Sequence, residues 1–359
     1  MPSIIFLGTA GDEFTVGKQL RASGGIIIRV EGYQFHLDPG PGALVRARQM
    51  GINLRENTAV LVSHSHINHC NDVNAVVAAM SHNGFDVNGV LISNMTFANG
   101  SEEAKMLPML TSFHRNCVER IIAAKPGQRI GIENVEIQTL KAFHEDPNAM
   151  GFKLITPKFT LSYSGDTGYN KELIEQYKRS DILVLNVVYP KGAGKKDSNN
   201  LNIDDAVKII DKVQPKLAVI THFGKDMVNA DPINEARELQ RATGVQILAA
   251  TDGLTINPVS YSADAKQKTL GVYGESKISA PASSGPAPEP EEAGQEPEQE
   301  SDNPAEEDEV QAAEEPAPEQ DNSDDEEEEP LNFSKPKESQ STLFSSSDEP
   351  EDEGSKEEE

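Results

Sequence analysis

The stretch LVSHSHINHCND, residues 61–72, places three histidines within six residues, directly after the apolar run Ala59 to Val62. A run of that kind reads as a strand, so His64, His66 and His69 stand where the chain leaves a sheet and their rings can converge on one point. Neutral imidazole is a good ligand for zinc. Catalytic zinc commonly takes three protein ligands and leaves one position for water. A lone histidine after a strand is usually a packing residue, but three so closely spaced point to a metal.

Similar apolar runs predict further strands at Ile4 to Leu7, Ile26 to Val30, Val90 to Ile92, Phe159 to Tyr163, Ile182 to Leu185, Leu217 to Ile220 and Val245 to Leu248. The clearest helix is Ile203 to Val213, where Ile203, Ala206, Val207 and Ile210 follow the i, i+3, i+4, i+7 pattern. Asp204 and Asp205 suit its first turn and Pro215 ends it. Strands dominate the first sixty residues and helices become frequent later, which predicts an α/β fold of packed sheets flanked by helices. Three more polar residues follow strand-like segments: His144 after Ile137 to Phe143, Asp166 in SGDTG, and His222 in THFG. Each is weak alone. Ligand-type side chains at four strand ends make a specific pattern.

That pattern resembles the metallo-β-lactamase superfamily. The HSHINH segment is similar to its HxHxDH signature, and His144, Asp166 and His222 look like its third histidine, bridging aspartate and last histidine, in that order. FLGTAG (residues 6–11) and FHLDPGPGA (residues 35–43) resemble its N-terminal half. The resemblance spans residues 1 to about 258 and implies an αββα sandwich with metal at one edge of the two sheets. It implies a first ion on His64, His66 and His144, a second on His69 and His222, and Asp166 bridging them, with Asp166 and His222 as the catalytic pair. Asp38 would orient the histidine segment from behind; a buried capping aspartate is its plainer reading. The implied cofactor is zinc, one or two ions, with manganese or iron as alternatives. The implied chemistry is attack by a metal-activated water.

Two departures qualify this. Asn68 stands where the signature has aspartate, and a neutral amide is the weaker ligand for a dication. A two-ion site of lowered affinity, a one-ion site and a catalytically weak scaffold all remain open. Asp72, Glu145 and Asp146 lie near the ligands but read as solvated or capping acids. FLGTAG and the AFHEDPNAMGFKL stretch look most like the tRNA 3′-processing endonuclease and phosphodiesterase branch. That branch usually carries another histidine motif before the last histidine, where this chain has Asn199, Asn200, Leu201 and Asn202.

Lys191, Lys195 and Lys196, in YPKGAGKKDSNN, are candidate phosphate contacts. The aromatic content of 5% and absence of Trp argue against a base-stacking platform. The expected substrate is a phosphodiester, including nucleic acid. The alternatives are a small-molecule ester, lactone or thioester, or a metal-binding scaffold whose tail recruits partners.

Charge divides the chain. Residues 1–280 carry 29 acidic and 29 basic side chains, so the net charge of −27 falls in the last 79 residues. Such composition predicts an acidic, low-complexity, disordered tail at 279–359 behind a linker at 259–278, and the resemblance implies a hydrolase domain at 1–258. Within the tail, Leu331, Phe333, Leu343, Phe344 and Ser345 to Ser347 break the acidity. A basic protein partner for the tail and a homodimer are further expectations. Two cysteines, Cys70 and Cys117, exclude a disulfide framework, and the chain shows neither a signal-peptide pattern nor an apolar run of the ~20 residues that span a bilayer. A cytoplasmic protein without membrane contact is expected. His36, His82 and His114 read as structural, and Cys70 as a packed thiol.

Overall fold

Near-continuous apolar runs are what a strand needs when both faces of its sheet are covered. The computed structural model of the protein describes residues 1–262 except 104 and 194–198, and it builds those runs into two sheets. The expected acidic tail and most of the linker lie outside the described residues, as do Lys195 and Lys196.

The first sheet contains β1 (Ser3–Phe6), β2 (Ile26–Val30), β3 (Tyr33–Leu37), β4 (Asn57–Val62), β5 (Val90–Asn94) and β6 (Arg120–Ala124), side by side in that order. A short strand, Thr255–Ile256, pairs with β1 at its edge. The second sheet contains β7 (Arg129–Ile132), β8 (Val135–Lys141), β9 (Met150–Ile155), β10 (Thr160–Tyr163) and β11 (Ile182–Tyr189), then β13 (Leu217–Thr221) and β14 (Ile247–Ala249), while β12 (Leu201–Asn202) pairs with β11. Pairing is antiparallel from β1 to β3 and from β7 to β10, and parallel from β3 to β6 and from β10 through β11 and β13 to β14.

The period-two alternation of strands sorts the side chains. Ile4, Phe6, Ile28, Leu61, Phe152, Leu161 and Val184 form one cluster between the sheets. Their neighbours Ile5, Leu7, Val60 and Val62 join Val73, Val76, Val77 and Met80 of the helix Val73–Met80. Leu183, Leu185 and Ile220 join Ile203, Ala206, Ile209 and Ile210 of the helix Ile203–Val213. These three clusters make the expected αββα sandwich.

The differences from the expected elements have physical causes. Strands β7 and β8 interleave buried with part-exposed residues, so neither forms an unbroken apolar run. Val245 is buried but follows Gly244, the left-handed cap of the helix Pro232–Thr243, so the last strand of the second sheet begins only at Ile247. Among the described residues, no helix is long and apolar enough to cross a membrane. Both cysteines are buried and free, and burial raises the Cys70 thiol pKa, as for a packed residue.

His36 is fully buried in β3, where Nε2–H donates to the Gly24 carbonyl at 2.8 Å. Its Nδ1 has no partner among the described residues, so protonation would bury an unpaired N–H. Burial accordingly lowers its pKa from 6.5 to about 4. The unfolded chain therefore takes up a proton that the folded chain refuses. This contribution to stability is full above pH 6.5 and is lost as pH falls toward 4. Urea unfolding should show that the wild type loses about 2 kcal/mol more stability between pH 7.5 and 5 than His36→Gln does. An identical pH response in the variant would refute this origin.

Candidate metal centre

The histidine segment follows β4, and the other polar residues sit where β8, β10 and β13 end, so the two sheets present them along one edge. Two groups of donor atoms result: His64, His66 and His144, and His64, His69 and Asp166, the atoms of each group lying within 4.8 Å of one another.

Within the first group, His66 Nδ1 lies 3.1 Å from both His64 Nε2 and His144 Nε2. Around the second, Asp166 Oδ2 lies 3.2 Å from His69 Nε2 and 3.1 Å from His222 Nε2, and those two nitrogens are 3.2 Å apart. Four ligands about 2.0–2.1 Å from a tetrahedral zinc stand roughly 3.3 Å from each other. The observed separations match that edge. Asp166 Oδ2 is 3.9 Å from His64 Nε2, so the groups adjoin.

The hydrogen-bond partners assign the tautomers. Asp38, buried at the end of β3, accepts from His69 Nδ1 at 2.9 Å, from Ser63 Oγ at 2.7 Å and from the Ser63 main-chain N–H at 2.7 Å. Ser63 Oγ–H donates to Asp38, so its oxygen accepts from His64 Nδ1 at 3.0 Å. His144 Nδ1 donates to the Asn199 carbonyl at 2.8 Å. In the His64 and His144 rings Nε2 is left with its lone pair facing the cluster, while His69 Nε2 faces Asp166 Oδ2.

Tyr163 OH also donates to Asp38, at 2.7 Å, and Asn186 Nδ2 reaches both Tyr163 OH at 3.1 Å and Asp166 Oδ1 at 2.7 Å. One chain of hydrogen bonds thus runs from His64 through Asp38 to Asp166.

The electrostatics suit a cation. Burial, with His69 beside it, holds His64 well below its usual pKa, and burial with His144 lowers His66, which keeps both rings neutral. Burial also opposes charge on His69, but Asp166 and Asp38 outweigh it and raise its pKa to about 10. Positive charge is favoured between those carboxylates. Burial likewise opposes charge on Asp166, yet His222 and His69 hold its carboxyl well below the usual range.

Two ligand-type residues have left-handed backbones, Asp38 at φ 48° and His222 at φ 64°. Strain of this kind, about 1–3 kcal/mol per residue, persists only where surrounding contacts enforce it. Glycines provide the close approach. A Cβ on Gly11 would stand 2.1 Å from the His222 carbonyl oxygen, and one on Gly40 would stand 2.1 Å from that of Asn68.

Asn68 Nδ2 donates to the Gly11 carbonyl at 3.0 Å and lies 3.4 Å from His222 Nε2. Rotating the amide would set its oxygen against the Gly11 oxygen, so the nitrogen is the end turned toward the donors. Of the nearby acids, Glu145 Oε2 is exposed and 3.9 Å from His66 Nε2, Asp72 accepts from Asn71, and Asp146 turns inward. The Lys191 main-chain N–H donates to Glu235, and no contact joins Lys191 to the donor cluster among the described residues.

Sequence reasoning missed Ser63, Tyr163, Asn186 and the carbonyl of Asn199. A polar residue closing an apolar strand, as Tyr163 does, was the available signal.

A profile of the beta-lactamase superfamily domain matches residues 33–223, over half of the chain. An uncharacterized protein of Methanocaldococcus jannaschii is 29% identical over 255 residues, covering 70% of this chain and 94% of that one. A metal-dependent hydrolase of Carboxydothermus hydrogenoformans is 27% identical over 237 residues, covering 63% and 93% respectively. Among solved structures, the metallo-beta-lactamase fold protein YhfI from Bacillus subtilis matches with TM-score 0.59 at 18% identity, covering 71% of this chain and 99% of that one. At that identity the likeness bears on the fold.

Proposed function

From the premise that this chain belongs to the metallo-β-lactamase superfamily of hydrolases, we propose that it hydrolyses phosphodiesters with divalent ions held by its two donor groups. The observation that carries this reading is the convergence of histidine ring nitrogens, with His64, His69 and His144 oriented by hydrogen bonds at their Nδ1 atoms. His64 Nε2, His66 Nδ1 and His144 Nε2 form one ligand set, and His69 Nε2 and His222 Nε2 a second, with Asp166 Oδ2 between them. Such nitrogen-rich sets suit zinc, and manganese or iron are compatible with them. Bound ions would supply Lewis acidity and lower the pKa of water toward neutrality.

The chain's own residues then orient the reaction. Asp166, ionised and held by Asn186, lies between the two sets and directs an attacking water. The Asp38 web keeps His64 and His69 from turning their N–H groups inward. His66 is part-exposed and Glu145 beside it is exposed, so substrate enters from that side.

Charge favours an anionic substrate. Because Asn68 is neutral, Asp166 is the sole carboxylate among these donors, and two dications would keep most of their positive charge. That attracts a phosphodiester more than a neutral lactone. The branch resemblance around FLGTAG and His144 points the same way, and Lys191, Lys195 and Lys196 are the side chains to test for phosphate contact.

The test compares bis(p-nitrophenyl) phosphate with a lactone panel, using His64→Ala as control. Phosphodiester turnover that disappears in the variant is expected. Turnover of lactones alone would overturn the substrate class, and equal turnover in the variant would overturn the site.

A further inference from the structure

The first ligand set is drawn from two distant segments, His64 and His66 on one and His144 on the other. Ser65 sits between the first two, and Asp146 follows the third by two residues. Asp146 is 5% exposed, and its carboxylate bridges the segments. Oδ2 accepts from the Ser65 main-chain N–H at 3.2 Å, from Ser65 Oγ at 3.0 Å and from Asn94 Nδ2 at 2.6 Å. Oδ1 accepts from Thr96 Oγ1 at 2.7 Å and from the Asn148 N–H at 2.9 Å.

We propose that Asp146 is a positioning residue of the first ligand set, bracing both of its segments, while the Asp38 web orients the His64 and His69 rings. The inference rests on the assignment of His64, His66 and His144 to one ion. Asp146 makes no contact with a ligand ring. It acts by fixing the backbone between two ligands and the turn after the third. The end of β5 anchors it, through Asn94 and the adjoining Thr96. All five partners donate, and the amide and main-chain donors cannot reverse. An asparagine at this position would therefore set an N–H against an N–H in either orientation. Loss of such an outer partner typically weakens metal binding about 10- to 100-fold.

The experiment measures zinc affinity by competition with a chromophoric chelator in two backgrounds. His222→Ala disables the second set and leaves the first to be read, and His66→Ala does the reverse. Asp146→Asn should weaken zinc binding about 10- to 100-fold in the His222→Ala protein and leave it unchanged in the His66→Ala protein. Thr96→Val, a milder change remote from the ligands, should give a smaller loss with the same asymmetry, and it keeps the test valid if Asp146→Asn fails to fold. Equal losses in both backgrounds would mark a merely structural residue and overturn the proposal, as would no loss in either. If zinc binding in the His222→Ala parent does not depend on His66, the ligand assignment itself fails, a distinguishable result.

Discussion

Asp166→Ala should lower kcat/KM for a phosphodiester by about 1000-fold or more and reduce bound metal from two ions to at most one. The size follows from its place. Asp166 Oδ2 is within 3.2 Å of two histidine nitrogens and 3.9 Å of a third, so one carboxylate serves both ligand sets. Its removal would take away the negative charge that, in the proposed two-ion site, lets two cations sit side by side. A thousandfold loss is about 4 kcal/mol of transition-state stabilisation, within the several kcal/mol that metal-assisted activation provides. Asp166→Asn should be nearly as damaging, because an amide that keeps accepting from Asn186 must turn its N–H toward the imidazole lone pairs. Elemental analysis with steady-state kinetics checks both variants. Full metal content with activity within tenfold of the wild type would refute the bridging role.

Asn68→Asp is expected to act in opposite directions with and without metal. The present amide donates to the Gly11 carbonyl, so a carboxylate there meets an oxygen at 3.0 Å and leaves it without its partner. Metal-free variant protein should lose about 1–3 kcal/mol of stability. With metal, the added charge supplies the second set with a stronger ligand than an amide oxygen. Zinc should then raise the melting temperature of the variant more than that of the wild type, with tighter binding of the second equivalent. Melting curves with excess chelator and with two equivalents of zinc read both effects. A variant that melts as the wild type does under both conditions would show that the amide contact carries no weight.

The sequence was most legible where chemistry is written in residue type. Three histidines after an apolar run mark a candidate metal-binding cluster, and His144, Asp166 and His222 repeat the theme at other strand ends; the structure brings the donor atoms of His64, His66 and His144, and of His64, His69 and Asp166, within 4.8 Å of one another. The helix Ile203–Val213 was legible because its apolar period and its caps are local. The antiparallel strands β7 and β8 were harder, since half-exposed edges interrupt the apolar run with polar residues.

Which of two adjacent acids turns inward could not be read in this way. Glu145 and Asp146 are neighbours in the chain, yet one is exposed beside His66 and the other is buried against Ser65, 81 residues away. The same holds for Asn186, which reaches Tyr163 and Asp166 across 23 and 20 residues.

By itself, then, the sequence determined the candidate donor types, their order and the layered α/β class, because these depend on composition and short-range period. Tertiary structure alone decided which ring nitrogen faces the cluster, that Asn68 presents its N–H rather than its oxygen, and that Asp38 and His222 adopt left-handed backbones. Those outcomes depend on where a side chain points and on what the opposite strand or loop brings to meet it. That information resides in long-range pairing and not in any local stretch of chain.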